Sequence, residues 1–300
     1  MVLKKSLVAD GALLLVTLCW GLNFVVEKHV LSTMTPIMYL GFRFFLSAVI
    51  MIGIFHKRLK SITREDIEAG LVIGLFMLSG FLTQTVGLVY TTPAKSGFIT
   101  GSNVVMVPFF AYMLSKRFPG VSQILGAIVT FCGLGLISIS DNLTISYGDM
   151  LTLLCAVCFA LQITFTEYYM KKADPINVAI IQIALTGIVT LGAAVLLGPI
   201  SLKVYSSEIW AAILFGVIFC TAGAFIVQNI AQRYTSSTHA AVILCTESVF
   251  AGLFSFLLGQ EPLTFKAISG FVLILAGVLI TELMPYKGQE PIKESADAVL

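Results

Sequence analysis

Apolar side chains fill this chain in ten continuous runs of about twenty residues, the length a helix needs to cross a hydrocarbon core about 30 Å thick. The runs lie at roughly 9–29, 36–55, 68–89, 94–115, 120–139, 149–169, 177–197, 208–231, 239–258 and 265–283. Strands of a membrane barrel would alternate apolar and polar positions over about ten residues. Here the runs are unbroken, so the pattern predicts helices that satisfy their backbone groups internally. Turn chemistry marks several ends: Thr35-Pro36, Thr92-Pro93 and Asp174-Pro175 each read as an N-cap followed by proline at the first helical position.

The pattern is also written twice. Asp10, Cys19, Leu22 and Pro36 recur as Asp149, Cys158, Leu161 and Pro175; Gln84, Tyr90, Thr91, Gly126 and Gly133 recur as Gln228, Tyr234, Thr235, Gly270 and Gly277. Each copy holds five predicted spans, and because five is odd the second copy enters the bilayer from the opposite face. The expected fold is an all-α membrane protein, ten transmembrane helices arranged as two inverted five-helix repeats. The first repeat covers 1–140 (helices 1–5), the second 141–284 (helices 6–10), and a cytoplasmic tail occupies 285–300. Secondary transporters have this architecture, with their site between the halves.

Composition removes the soluble alternative: 58% of residues are hydrophobic, 11% are charged, and the mean hydropathy is +0.97. The net charge of +2 is dispersed, so no basic surface points to nucleic acid as a partner. Its distribution is more telling. One set of connections and termini holds Lys4, Lys5, Lys57, Arg58, Lys60, Arg64, Lys116, Arg117, Lys171, Lys172, Arg233, Lys287 and Lys293, against Lys28, Lys95, Lys203 and Lys266 on the other side. The positive-inside rule then puts both termini in the cytoplasm of a multi-pass protein of the cell membrane. The opening MVLKKSLVADGALLLV has the basic flank and apolar run of a secretion signal. No small-residue cleavage site follows it, and the segment has a counterpart at 148–165, so it reads as a retained first span.

Cys19, Cys132, Cys155, Cys158, Cys220 and Cys245 all fall within predicted spans, where a free thiol packs as a small apolar group. Cys155 and Cys158 match a metal or redox spacing, but they lie mid-helix without nearby His or Asp ligands. Neither a metal nor any other cofactor is expected. Asn142-Leu-Thr144 matches a glycosylation acceptor, a three-residue pattern too common by chance to carry weight.

Several stretches carry a family resemblance. The first span reads CWGLNFVVEK, Arg43 follows Pro36 in the second, and the connection from the third span to the fourth reads VGLVYTTPAKSGFITGSNVVMVPFFA. The ninth span and its exit read HAAVILCTESVFAGLFSFLLGQEPLT, followed by GFVLILAGVLI. In order, spacing and duplication these resemble the EamA-type family of the drug/metabolite transporter superfamily, across nearly the whole chain. The resemblance implies a ten-helix secondary transporter that moves small polar metabolites, often outward, by exposing a central cavity alternately to each side. The family's WG-x-N stretch corresponds to Trp20, Gly21 and Asn23, its second-span arginine to Arg43, and its E-x-V-F stretch to Glu247. The Gly-Glu pair common after a repeat's fourth helix is replaced by Gln260-Glu261, with an inserted Gln, and by Lys116-Arg117 in the first repeat.

Polar side chains are costly in a bilayer and therefore face the bundle interior or water, so their positions outline a cavity. Trp20, Asn23 and Glu27 share one face of helix one; Phe159, Gln162 and Thr166 form the equivalent stripe on helix six. Helix four adds Ser96, Thr100 and Asn103, and its counterpart places Ala240, Leu244 and Glu247 at the matching points. Gln84 and Gln228 occupy equivalent positions on helices three and eight, with Asn229 beside the latter. The candidate cavity is thus Trp20, Asn23, Arg43, Gln84, Thr100, Asn103, Phe159, Gln162, Gln228, Asn229 and Glu247.

Arg43 and Glu247 are the clearest buried charges. Arg43 either pairs with Glu27, Glu247 or helix-end carbonyls and holds the bundle together, or contacts a substrate carboxylate or moving counter-ion. Glu247, near mid-depth, is either a permanently paired or capping acid, or a carboxyl that takes up and releases a proton during transport. Trp20 either packs or stacks on a substrate ring, and His239 and Lys95 stand at helix starts as end residues or mouth charges. Gly70 with Gly74, and Gly97 with Gly101, predict close helix contacts. Pro108 predicts a kink in helix four. The connection HKRLKSITREDI reads as solvated, with anchoring charges.

The reading that follows is a secondary transporter of amino-acid-like or amine compounds, an exporter with import as the rival direction, working as monomer or homodimer on a small-molecule substrate in a lipid bilayer. No nucleotide-binding loop and no long cytoplasmic segment implies an ATPase subunit. A membrane-embedded enzyme would need a nucleophile beside a base, yet His29, His56 and His239 fall in unrelated connections. A channel would need a pore-lining ring repeated around an axis.

Overall fold

The computed structural model describes residues 2–91, 93–116, 118–138, 146–197, 205–259 and 262–283, with backbone alone at 2–5, 93–95 and 282. Thr92, Arg117, Asn142 to Thr144, Lys203, Gln260, Glu261 and the tail with Lys287 and Lys293 lie outside the described residues, as do the side chains of Lys4, Lys5 and Lys95.

Among the described residues every regular element is helical. In chain order these are α1 (Val2–Leu31), α2 (Pro36–Ile54), a 3-10 turn (Arg58–Ser61), α3 (Arg64–Tyr90), α4 (Pro93–Gly101), α5 (Asn103–Ser115), α6 (Val121–Ser138), α7 (Tyr147–Tyr169) and α8 (Pro175–Leu197). There follow α9 (Ser207–Val217), a π-helical turn (Ile218–Gly223), α10 (Ala224–Ala231), α11 (Ser237–Leu244), α12 (Glu247–Leu257) and α13 (Phe265–Leu283). Eight helical segments are long and apolar enough to cross a membrane, and α6 and α13 carry the shorter apolar stretches Val121–Leu136 and Phe265–Thr281. The chain is therefore a multi-pass membrane protein. Its lipid-facing side chains, such as Leu15, Val49, Leu75, Ile188 and Val272, are exposed as an apolar solvent requires.

The fourth span is interrupted at Ser102, and Pro108 sits inside the uninterrupted α5. The break in helical assignment thus lies six residues before the proline. At the break Ser102 Oγ donates to the carbonyl of Ile99 at 2.6 Å. The ninth span breaks in the same way between α11 and α12, where Thr246 Oγ1 donates to the carbonyl of Ile243 at 2.7 Å.

The most extensive packing joins the two halves of the chain: α6 lies on α13, α2 on α8, α3 on α7 and α8, α1 on α11 and α12, and α5 on α7 and α11. Glycines set the closest approaches. A Cβ on Gly126 would stand 2.7 Å from the carbonyl oxygen of Gly277, one on Gly277 2.7 Å from that of Gly126, and one on Gly133 2.7 Å from that of Gly270. Gly70 and Gly74 meet Ile181 and Gln182 of α8, and Gly101 meets Leu134 of α6. Gly97, by contrast, faces open space.

At the face bearing Lys57, Arg58, Lys171, Lys172 and Arg233, polar contacts lock the halves together. Thr63 and Asp66 form a capping box at the start of α3. Asp66, buried, also accepts from the backbone N–H of Asp174 at 2.7 Å and from Asn177 Nδ2 at 2.9 Å. Asp174 caps α8 through the N–H of Ile176 at 2.9 Å and pairs with Arg58 at 3.1 Å, so the connection after α2 is anchored as well as solvated. Within the second half, Arg233 donates to the carbonyls of Met170 at 3.0 Å and Ala173 at 2.6 Å, while Glu167 accepts from the N–H of Ser237 at 2.8 Å. At the opposite face Ser146 and Asp149 cap α7, and Thr91 Oγ1 donates to Asp149 Oδ1. Thr35 holds the N-cap position of α2 without a side-chain bond.

Candidate functional site

Continuous helices place residues three and four apart on one face, and the stripes of α1, α3, α7 and α10 converge on one cavity. Its lining includes Trp20, Asn23, Arg43, Gln84, Thr100, Asn103, Phe159, Gln162, Gln228 and Glu247 from the sequence-derived set. Asn229 is elsewhere: it is buried against α8, with Nδ2 donating to the carbonyl of Pro175 at 3.1 Å. Neighbouring residues on a helix point about 100° apart, so Gln228 and Asn229 cannot both face one cavity.

Sequence reasoning missed the aromatic walls Phe24, Phe81 and Phe225. The signal was present, because Phe81 stands three residues before Gln84 as Phe225 does before Gln228. With Trp20 and Phe159 these rings form one chain: Trp20 to Phe225 at 5.8 Å between centroids, Phe225 to Phe81 at 6.2 Å, Phe81 to Phe159 at 5.1 Å. Gly80 makes room for Phe159, since a Cβ there would lie 2.5 Å from the ring.

Arg43 is held on every side. Nε donates to Thr221 Oγ1 at 2.8 Å, Nη2 to the carbonyl of Cys220 at 3.2 Å, and Nη1 faces Glu27 Oε2 at 3.5 Å. The guanidinium also lies 5.5 Å from the ring centroids of Phe44 and Phe81 and 5.9 Å from that of Tyr39. The π-helical turn makes this possible. Widening the helix leaves the Cys220 carbonyl free to accept from both Arg43 and Trp20 Nε1, the latter at 2.9 Å, while Thr221 Oγ1 donates back to the carbonyl of Gly216 at 2.8 Å. Of the partners expected for Arg43, the structure selects Glu27 and helix carbonyls over Glu247.

The amides are committed inward. Asn23 Nδ2 donates to Glu27 at 3.0 Å, Gln84 Nε2 to Thr100 at 3.2 Å and Gln162 Nε2 to Thr166 at 3.4 Å. Gln228 Nε2 donates to Gln162 at 3.4 Å and Gln232 at 3.2 Å, and Gln232 Nε2 to the carbonyl of Ile163 at 2.9 Å, closing the cavity towards the basic face. Towards the other face the lining continues through Glu27, Leu88 and Ser96. Glu247, first residue of α12, lines the cavity, and its carboxylate has neither hydrogen bond nor ion pair among the described residues. Among those residues no cluster of His, Cys, Asp or Glu could hold a metal.

The EamA-like transporter family matches this chain twice, over residues 7–139 and 146–283. An uncharacterized transporter of Archaeoglobus fulgidus is 33% identical over 279 residues, 93% of this chain and 87% of the relative. The uncharacterized transporter YyaM of Bacillus subtilis is 26% identical over 270 residues, 86% of this chain and 88% of its own. A crystal structure of another protein superposes with a TM-score of 0.78 at 16% identity, covering 92% of this chain and 96% of that one, a likeness of fold alone.

Proposed function

The chain belongs to the EamA-like transporter family, and from that membership we propose that it is a secondary transporter exporting small polar metabolites, amino-acid-like or amine compounds, by alternating access. Ten transmembrane helices form two inverted repeats in the cell membrane with both termini in the cytoplasm, as a monomer or homodimer, and the energy comes from a gradient or from the cargo's own. One observation carries this reading. The fourth and ninth spans break at the equivalent residues Ser102 and Thr246, and both breaks border a cavity to which each half contributes an aromatic residue and an amide. Discontinuous helices beside a mid-depth cavity are how transporters build their sites.

The reciprocal approach of Gly126 to Gly277 supports the inverted arrangement. On this reading the state is outward-facing: Gln162, Gln228 and Gln232 close the path towards the basic face, and α11 packs on α7 whereas among the described residues its equivalent α4 makes no comparable contact with α1. Counterflow in proteoliposomes tests the proposal. Saturable exchange of an amine or amino acid is expected, and its absence across a broad panel refutes the reading. Sugar phosphates are expected not to be carried, because Arg43 is the cation among the described lining residues and its charge is already met by Glu27.

Glu247 is the group through which a proton gradient acts. At saturating cargo the Glu247→Gln protein is expected to exchange cargo but no longer to concentrate it on an imposed pH gradient. Accumulation that persists in this variant removes Glu247 from the coupling step.

A further inference from the structure

The described charges lining the cavity are Glu27, Arg43 and Glu247, and they do not balance. Arg43 is matched by Glu27 at 3.5 Å and fixed by Thr221 and the Cys220 carbonyl. Glu247 is left with no partner among the described residues, facing a space walled by Trp20, Phe81, Phe159 and Phe225. A lone carboxylate in low dielectric favours a positive ligand, and aromatic faces present negative quadrupole to a cation while covering an apolar body. A carboxylate on the cargo would find the opposite conditions. The guanidinium charge is already met by Glu27 and bonded to Thr221 and the Cys220 carbonyl, and the amide nitrogens of Asn23, Gln84, Gln162 and Gln228 each donate at least one bond within the protein.

We infer that this cavity selects organic cations over zwitterions and anions: an ammonium group seats against Glu247, and the apolar part of the same molecule lies on the four rings. The inference rests on the transport reading above and narrows its substrate class from amino-acid-like compounds to amines.

The test measures binding and movement separately. Purified full-length protein carrying Trp210→Phe leaves Trp20 as its reporter, since the chain has 2 tryptophans. Fluorescence titration with phenyltrimethylammonium, phenethylamine, phenylalanine and 3-phenylpropionate is expected to show saturable binding of the first two, at least about tenfold tighter than the others. Glu247→Gln is expected to remove that preference and Glu247→Asp to retain part of it. The wild-type ranking needs no variant, so a misfolded Gln protein does not protect the inference. It is overturned by tighter binding of phenylalanine or 3-phenylpropionate, by no binding of either ammonium probe, or by an unchanged preference in a folded Glu247→Gln protein. Uptake of labelled phenyltrimethylammonium into proteoliposomes supplies the second reading. Cation binding without uptake leaves the inference standing and sinks transport of this class; saturable uptake of uncharged or anionic cargo with no cation binding does the reverse.

Discussion

Arg43→Gln is expected to destabilise the protein by about 3–5 kcal/mol, the usual cost of removing one partner from a buried ion pair. The substitution strands Glu27, whose side chain is 17% exposed, beside the Phe81 wall, and withdraws donors from Thr221 and from the Cys220 carbonyl. Thermal unfolding in detergent measures the loss. Arg43→Lys recovers only part of it, because one ammonium cannot reach Glu27, Thr221 and the carbonyl in the plane that a guanidinium spans. Adding Glu27→Gln to Arg43→Gln should restore some stability by removing the uncompensated acid. An Arg43→Gln protein that unfolds like wild type yet binds no cargo would make this residue a ligand group and not a brace.

Gly277→Ala carries the second large effect, about 1–3 kcal/mol, typical of overpacking at a close crossing. The new Cβ would fall on Thr130 Oγ1 and stand 2.7 Å from the carbonyl oxygen of Gly126, so α6 and α13 must part along their contact. The control is Gly11→Ala, which meets nothing within 4 Å and should gain helix propensity. Equal melting temperatures for the two variants would show that this seam tolerates separation.

Much of this was legible in the sequence because a bilayer leaves few options. Continuous apolar runs have to be helices, and costly polar side chains have to converge, which is why Trp20, Asn23, Gln84, Phe159, Gln162, Gln228 and Glu247 meet. Where the prediction missed, the cause was local. Proline at 108 was the evident textual cue in the fourth span, but the breaks fall at Ser102 and Thr246, whose hydroxyls bond carbonyls three residues back just as Thr17 and Thr281 do inside unbroken helices. Asn229 was grouped with Gln228 by chemistry, though adjacent positions face different neighbours. The choice of Glu27 over Glu247 as partner to Arg43 depends on the relative depth and rotation of α1, α2 and α12, which no single span encodes. Nothing in IFCTAG announces a π-helical turn.

That turn has one further consequence. Its counterpart in the first half lies within the regular helix α3, so the two halves are not energetically interchangeable. In a fully symmetric carrier the two end states would mirror each other and be equally populated. Here Arg43 of the first half is clamped into a widened helix of the second, a contact with no counterpart in α3, so in the alternating-access cycle proposed above the two end states would differ in energy.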